Sequence, residues 1–141
     1  MADARIVVLV ASTIVGLAGC VPAPQADYTP EEISQLESLP ELMRVLYEDL
    51  KPTWDLVDRA APTATELEAA GVVAVRVERA AGALVERFAA ERPEDFAADA
   101  EQLRARAQEL GRAAAASDVD GVRQAVDGLG RSCDSCHAAH R

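Results

Sequence analysis

The chain has 141 residues, half of them apolar and only 4% aromatic, and its formal net charge is -10 at pH 7. This length fits one domain, and the acidity disfavours nucleic acid and anionic lipid surfaces as binding partners. The charge would instead attract basic proteins in a salt-dependent way, or simply keep the protein soluble. Apolar residues recur with helical spacing and alanine is frequent, which predicts an all-α protein whose helices meet through small side chains.

The start of the chain resembles a removable export signal. Its apolar run is too short to span a bilayer as a mature helix, but it suits a signal peptide. Residues 17–20 read Leu-Ala-Gly-Cys, which resembles a bacterial lipobox, where cleavage precedes the cysteine and a lipid is attached to it. We therefore predict a signal peptide over residues 1–19 and lipidation of Cys20. The alternative is ordinary signal cleavage near Ala18 or Ala23.

The residues after the leader predict a periplasmic protein tethered to a membrane. Residues 20–29 contain two prolines and form the expected tether between the lipid anchor and a folded domain of residues 30–141. Val21 occupies the position where an aspartate would favour retention in the inner membrane. The periplasmic face of the outer membrane is therefore the expected location.

Four long helices are predicted in the domain, after a short helical turn that begins at Thr29. The first long helix has an apolar stripe and contains Pro52, which should bend it or end its regular part. Thr65 is the expected N-cap of the second helix, and Pro93 follows its end. Ser117 is the expected cap of the fourth helix, which continues to the C-terminus. Short loops between four such helices predict an antiparallel four-helix bundle.

The last helix carries the motif Cys133-Asp134-Ser135-Cys136-His137, whose C-x-x-C-H spacing is typical of covalent c-type haem attachment. The two thiols would add to the vinyl groups of one haem, and His137 would bind the iron. On a helix these three side chains share one face, so the porphyrin and the iron ligand meet on the same side. The alternatives are a zinc half-site or a redox dithiol. However, a structural zinc needs four ligands, and a thioredoxin-like dithiol needs a βαβ context.

Two glycines lie shortly before this motif. Gly128 and Gly130 weaken the last helix, at roughly 1 kcal/mol each relative to alanine. Either they let the porphyrin lie close to the helix backbone, or they are tolerated glycines on the surface of the protein.

A four-helix bundle with C-x-x-C-H on its last helix, next to the C-terminus, resembles the cytochrome c′ and cytochrome c-556 family of class II c-type cytochromes. The family typically continues C-H-x-x-aromatic-Arg, and here Arg141 matches this pattern whereas His140 replaces the aromatic residue. The resemblance covers the mature chain in helix number and order, but only the last helix matches at residue level. It implies one covalent haem c with its iron, thioether bonds to Cys133 and Cys136, and His137 as the proximal ligand.

The last two residues have expected places near the haem. Arg141 would lie near His137 or a haem propionate, or it would be solvated as the terminal residue. His140 lies three residues after His137 on the same helix, so the two cannot bind opposite faces of one haem. A hydrogen bond from His140 to a propionate, or packing on the porphyrin edge, is expected instead.

The resemblance leaves open whether a residue binds the iron on the distal side of the haem, because the family has two branches. In the c-556-like branch a methionine of the first helix binds the iron and the protein carries electrons. In the c′ branch an apolar residue covers an open iron site that binds nitric oxide or carbon monoxide. Met43 is the only methionine outside the leader, and it lies on the apolar stripe, so His137/Met43 ligation is the leading prediction. A helical methionine more often packs in the core, and Leu42 or Leu46 would then cover the iron.

The acidic residues form no enzyme-like constellation. Helix capping explains Glu31, Glu32 and Glu41, and no nucleophile–base pair is apparent, so no enzymatic activity is expected. A haem peroxidase is the third alternative. The expected partners are a redox protein, for which the charge favours a basic one, and a membrane held through the lipid anchor. Relatives in the family often form homodimers through their first two helices, so a homodimer is a further expectation.

Overall fold

The computed structural model describes residues 28–140. The signal peptide, Cys20, most of the tether and Arg141 therefore lie outside the described residues. Five helices follow one another, and no strand occurs among residues 28–140: α1 (Pro30–Gln35), α2 (Leu39–Asp58), α3 (Ala64–Ala83), α4 (Glu94–Ala115) and α5 (Val119–His140). The four long helices α2 to α5 pack around one core and are joined by short connections, which confirms the predicted all-α four-helix bundle.

The start of α3 differs from the prediction. Thr63, not Thr65, is the N-cap: its hydroxyl accepts a hydrogen bond from the Glu66 N–H at 3.3 Å. The Glu66 carboxylate in turn accepts from the Thr63 N–H at 2.7 Å, which completes a capping box. Both threonines precede a glutamate by three residues, so the sequence offers two equivalent starts. The earlier start adds two residues to the helix and allows Arg59 to pair with Glu66 at 2.5 Å.

Replacement of Thr63 by alanine is expected to lower the free energy of unfolding by about 1 kcal/mol at neutral pH, because an N-terminal donor of α3 loses its acceptor. Thr65→Ala is the matched control and should change stability far less. Hydrogen bonds from the Thr63 N–H and hydroxyl hold the pKa of Glu66 below its usual value. The capping box therefore contributes its full stability at neutral pH, where Glu66 is ionised. This contribution is lost as the pH falls through the lowered pKa of Glu66. Urea unfolding of both variants at neutral and acidic pH measures this difference.

The start of α5 also differs from the prediction. Ser117 has a positive φ of 53°, and it belongs to the end of α4 rather than capping α5. Its N–H donates to the Ala114 carbonyl at 3.0 Å, and the Asp118 N–H donates to the Ala113 carbonyl at 2.9 Å. This is a helix C-terminal motif whose left-handed residue cannot also adopt the extended conformation of an N-cap. Asp118 caps α5 instead, since its carboxylate accepts from the Gly121 N–H at 3.0 Å.

Pro52 and Pro93 differ in their effect on the helices. Pro52 lies inside α2, which continues to Asp58, so this proline does not end the helix. After α3 the chain forms a π-helical turn over Leu84–Phe88 and a 3-10 turn over Ala89–Glu91. Arg92 is then extended, as expected of a residue before Pro93. The predicted end of the second helical segment before Pro93 is thus confirmed.

Small side chains bring α3 and α4 close together. A Cβ on Gly71 would lie 3.6 Å from the Ala114 Cβ, and one on Gly111 would lie 3.5 Å from the Ala74 Cβ. The core that these helices enclose is apolar, and its largest fully buried side chains are Ile33, Leu42, Leu84, Leu110, Leu129, Val77, Val122 and Val126. Across residues 28–140, no helix is both long enough and apolar enough to cross a bilayer.

Candidate haem site

The motif residues lie near the C-terminal end of α5. Cys133 is half-buried and packs against the apolar core, one helical turn after the fully buried Leu129. Cys136 and His137 follow on the next turn and are half-buried as well. Within residues 28–140, neither cysteine forms a disulfide. Because Leu129 anchors one face of α5 in the core, the helix presents the two thiols and the imidazole at the edge of that core.

The three side chains border a cavity of about 420 Å³, within the range of small-molecule and cofactor sites. Residues from α2, α4 and α5 and one residue after α3 form its walls: Met43, Leu46, Tyr47, Leu50, Trp54, Leu84, Asp99, Ala100, Leu103, Gly130, Ser132, Cys133, Asp134, Cys136 and His137. Most of the wall is apolar, and its few polar groups include two thiols and one imidazole. These residues fit a haem, which needs an apolar cavity, two thioether bonds and an iron ligand.

The predicted distal residue Met43 lines this cavity together with His137. Leu46 also lines it, so this leucine is in a position to cover an iron. Leu42 is fully buried in the core and is not part of the wall. The structure therefore does not support Leu42 as a residue that covers the iron.

Two aromatic side chains of α2 complete the same wall. Tyr47 and Trp54 meet edge to face with ring centroids 5.4 Å apart. Trp54 is half-buried, whereas Tyr47 is 52% exposed and forms part of the rim of the cavity. Their position agrees with packing at a haem edge.

The two glycines before the motif have different surroundings. Gly130 lines the cavity, and a Cβ there would meet no atom within 4 Å, so the space beside this backbone is open. Gly128 is buried, and its Cβ would lie 3.2 Å from Cδ of Arg106 on α4. Of the two glycines, only Gly130 leaves room for a porphyrin beside its backbone, whereas Gly128 accommodates Arg106.

The π-helical turn after α3 contributes to the site. Leu84 begins this turn, is nearly fully buried and lines the cavity. Such turns are frequent at functional sites because they redirect side chains along a helix. The sequence pattern in this region continues the apolar stripe of α3 and carries no signal for the turn.

His140 lies beside the cavity on the last turn of α5. Its Nε2 donates to Oδ2 of Asp99 at 2.9 Å, and Asp95 Oδ1 is 3.9 Å from the same nitrogen. The imidazole packs edge to face on Phe96 with a centroid distance of 5.3 Å. Its side chain is only 5% exposed, and Nδ1 has no hydrogen-bond partner among the described residues. Asp99, which the sequence does not single out, is therefore a polar group of the site.

The surroundings of the two thiols shift their pKa values in the same direction. Burial is the main cause that raises the pKa of Cys133, and the Asp134 carboxylate adds to it. Burial also raises the pKa of Cys136, together with Asp99 and Asp95. A thiol with a raised pKa is a poorer nucleophile at neutral pH, since the thiolate is the reactive form. The electrostatics thus disfavour the redox-dithiol alternative.

Comparison with known proteins gives one family. The family model described as Cytochrome C′ matches residues 74–141. No curated protein and no solved structure matches the chain. The matched residues include Cys133, Cys136 and His137, whereas Met43 precedes them.

Proposed function

This chain belongs to the cytochrome c′ family, and from that membership we propose that it is an electron carrier with one haem whose iron is bound by His137 and Met43. Members of this family bind covalent haem c with its iron, so the chain is a c-type cytochrome. In the proposal, Cys133 and Cys136 form the thioether bonds. When bound, the haem supplies an iron that accepts and releases one electron.

The observation that carries the proposal is that Met43 and His137 line one cavity from different helices. A methionine ligand opposite a histidine raises the reduction potential and suits electron transfer. Leu46, Leu50 and Leu103 surround the cavity with apolar groups. These side chains would exclude water, and a dry environment also tunes the potential of an iron site.

The second candidate is the binding of nitric oxide or carbon monoxide at a five-coordinate iron. One observation favours it: Leu46 lies in the same wall as Met43. If Met43 only packs against the porphyrin, Leu46 can cover an iron site that remains open to a small gas. The two candidates differ in the spin state of the iron and in the response to carbon monoxide.

Met43→Ala tests the choice between them. If Met43 binds the iron, the wild type is low-spin and its spectrum does not shift with carbon monoxide. The variant should then lose more than about 59 mV of reduction potential, equal to a tenfold change for one electron, and should bind carbon monoxide. Leu46→Ala is the control in the same wall and should keep the low-spin spectrum. A wild-type protein that is high-spin and binds carbon monoxide at once would instead establish the gas-binding function.

We also propose where the protein works. The export signal and the C-x-x-C-H motif support a periplasmic location, because bacteria attach c-type haem outside the cytoplasm. Lipidation of Cys20 would hold the domain at a membrane. The acidity supports a basic redox protein as partner, and the lack of an evident acid–base pair in the sequence supports an electron carrier rather than an enzyme. A homodimer through α2 and α3 would use a surface on which Val72 and Val75 are exposed apolar side chains.

A further inference from the structure

His140 is a chain-specific feature of this site. It occupies the position where the family resemblance expects an aromatic residue, and it packs on Phe96 as such a residue would. An aromatic hydrocarbon ring there would leave no polar atom buried. The imidazole instead has a buried Nδ1 without a partner among residues 28–140. The polar contact that offsets this cost is the hydrogen bond from Nε2 to Asp99 at 2.9 Å.

Asp99 lies close to the attachment motif on α5. Its carboxylate lines the same cavity as His137. The ligand atoms of Asp99, Cys136 and His140 all lie within 4.8 Å of one another. His137 and His140 are three positions apart on α5, so their side chains lie on one face of the helix. Asp99 is hydrogen-bonded to His140 and lines the cavity with His137, so it lies beside this face.

We propose that His140 is a positioning residue that holds Asp99 away from the iron ligand His137. This inference rests on the proposed haem attachment and on His137 as the proximal ligand. A carboxylate that accepts a hydrogen bond from the ring N–H of a metal-bound histidine makes that histidine a more basic ligand. A more basic ligand favours ferric iron, so it lowers the reduction potential. By occupying Asp99, His140 keeps the potential high.

The test is a double-mutant cycle on the haem-loaded protein. His140→Phe restores the aromatic residue that the family favours, keeps the packing on Phe96 and removes the partner of Asp99. We expect it to lower the reduction potential by on the order of 59 mV, a tenfold change in the ratio of reduced to oxidised protein. Asp99→Asn alone removes the competing carboxylate. In that background, His140→Phe should leave the potential unchanged.

A spectroscopic measurement separates positioning from a simple change of charge. In the ferrous protein, the resonance of the His137 ring N–H that does not face the iron should move downfield in His140→Phe. The same resonance should not move when Asp99→Asn is also present. Asp95→Asn is the matched control for the resonance, since this carboxylate lies 3.9 Å from His140 but is 68% exposed, and it should leave the His137 resonance unmoved.

Several results would overturn the inference. One is an unchanged or raised potential in His140→Phe. Another is an equal fall in the Asp99→Asn background, which would show that the effect does not act through Asp99. An unmoved His137 resonance in His140→Phe also contradicts it. These outcomes do not depend on the proposed distal ligand. If the wild-type iron binds carbon monoxide at once, Met43 is not a ligand, but the double-mutant cycle of His140 and Asp99 still tests the role of His140.

Discussion

Replacement of both Cys133 and Cys136 by alanine is expected to abolish covalent haem attachment. The two thiols are the only side chains in the described cavity that can form thioether bonds, and both lie on the same face of α5. Without these bonds the cofactor would be held only by ligation and packing, and denaturation would release it. A haem stain after denaturing electrophoresis measures the loss, which should be complete for the double variant.

The single variants and a matched control sharpen this experiment. Cys133→Ala and Cys136→Ala each leave one thiol, so partial attachment through one bond is expected. Ser135→Ala changes an exposed residue between the two cysteines and should retain full attachment. Covalent haem in the double variant would show that the attachment site lies elsewhere, and the proposed cavity would then be wrong.

Leu129→Ala is expected to lower the free energy of unfolding by about 2–5 kcal/mol. The leucine side chain is 0% exposed and belongs to the apolar core, one helical turn before Cys133. Its truncation removes buried methyl groups and leaves a cavity that the surrounding helices can only partly fill. Urea unfolding of the haem-loaded protein, followed by circular dichroism, measures the change.

A substitution of similar chemistry on the surface provides the control. Val72 is 59% exposed on α3, so Val72→Ala should change stability by no more than about 0.5 kcal/mol. A Leu129→Ala protein as stable as Val72→Ala would show that α5 is not anchored through this residue. The prediction would then fail even if the haem remained attached.

Local patterns in the sequence were sufficient to predict the four long helices and to place the motif residues on the last of them. Apolar spacing along each helix indicates which face is buried, and the short loops lead to a four-helix bundle. The Cys133–Cys136–His137 spacing is equally local, because a helix puts these residues on one face whatever surrounds it. The end of the second helical segment before Pro93 has the same origin, since a proline restricts the residue that precedes it.

Helix starts were harder to predict, because capping signals compete. Thr63 and Thr65 each precede a glutamate at the right distance, and the choice depends on the contacts that each start allows, such as the Arg59–Glu66 ion pair. Ser117 and Asp118 are both favourable N-caps. Asp118 acts as the cap because the end of α4 requires a left-handed residue at Ser117.

The composition of the cavity was decided by tertiary structure alone. Leu42 and Leu46 lie on the same apolar stripe of α2, but only the packing of the helices puts Leu46 in the cavity wall and Leu42 in the core. Asp99 and His140 are 41 positions apart in the chain, and they meet only because α4 and α5 pack side by side. Periodicity within one helix specifies which residues face inward, whereas the neighbours they meet depend on how two helices are placed against each other.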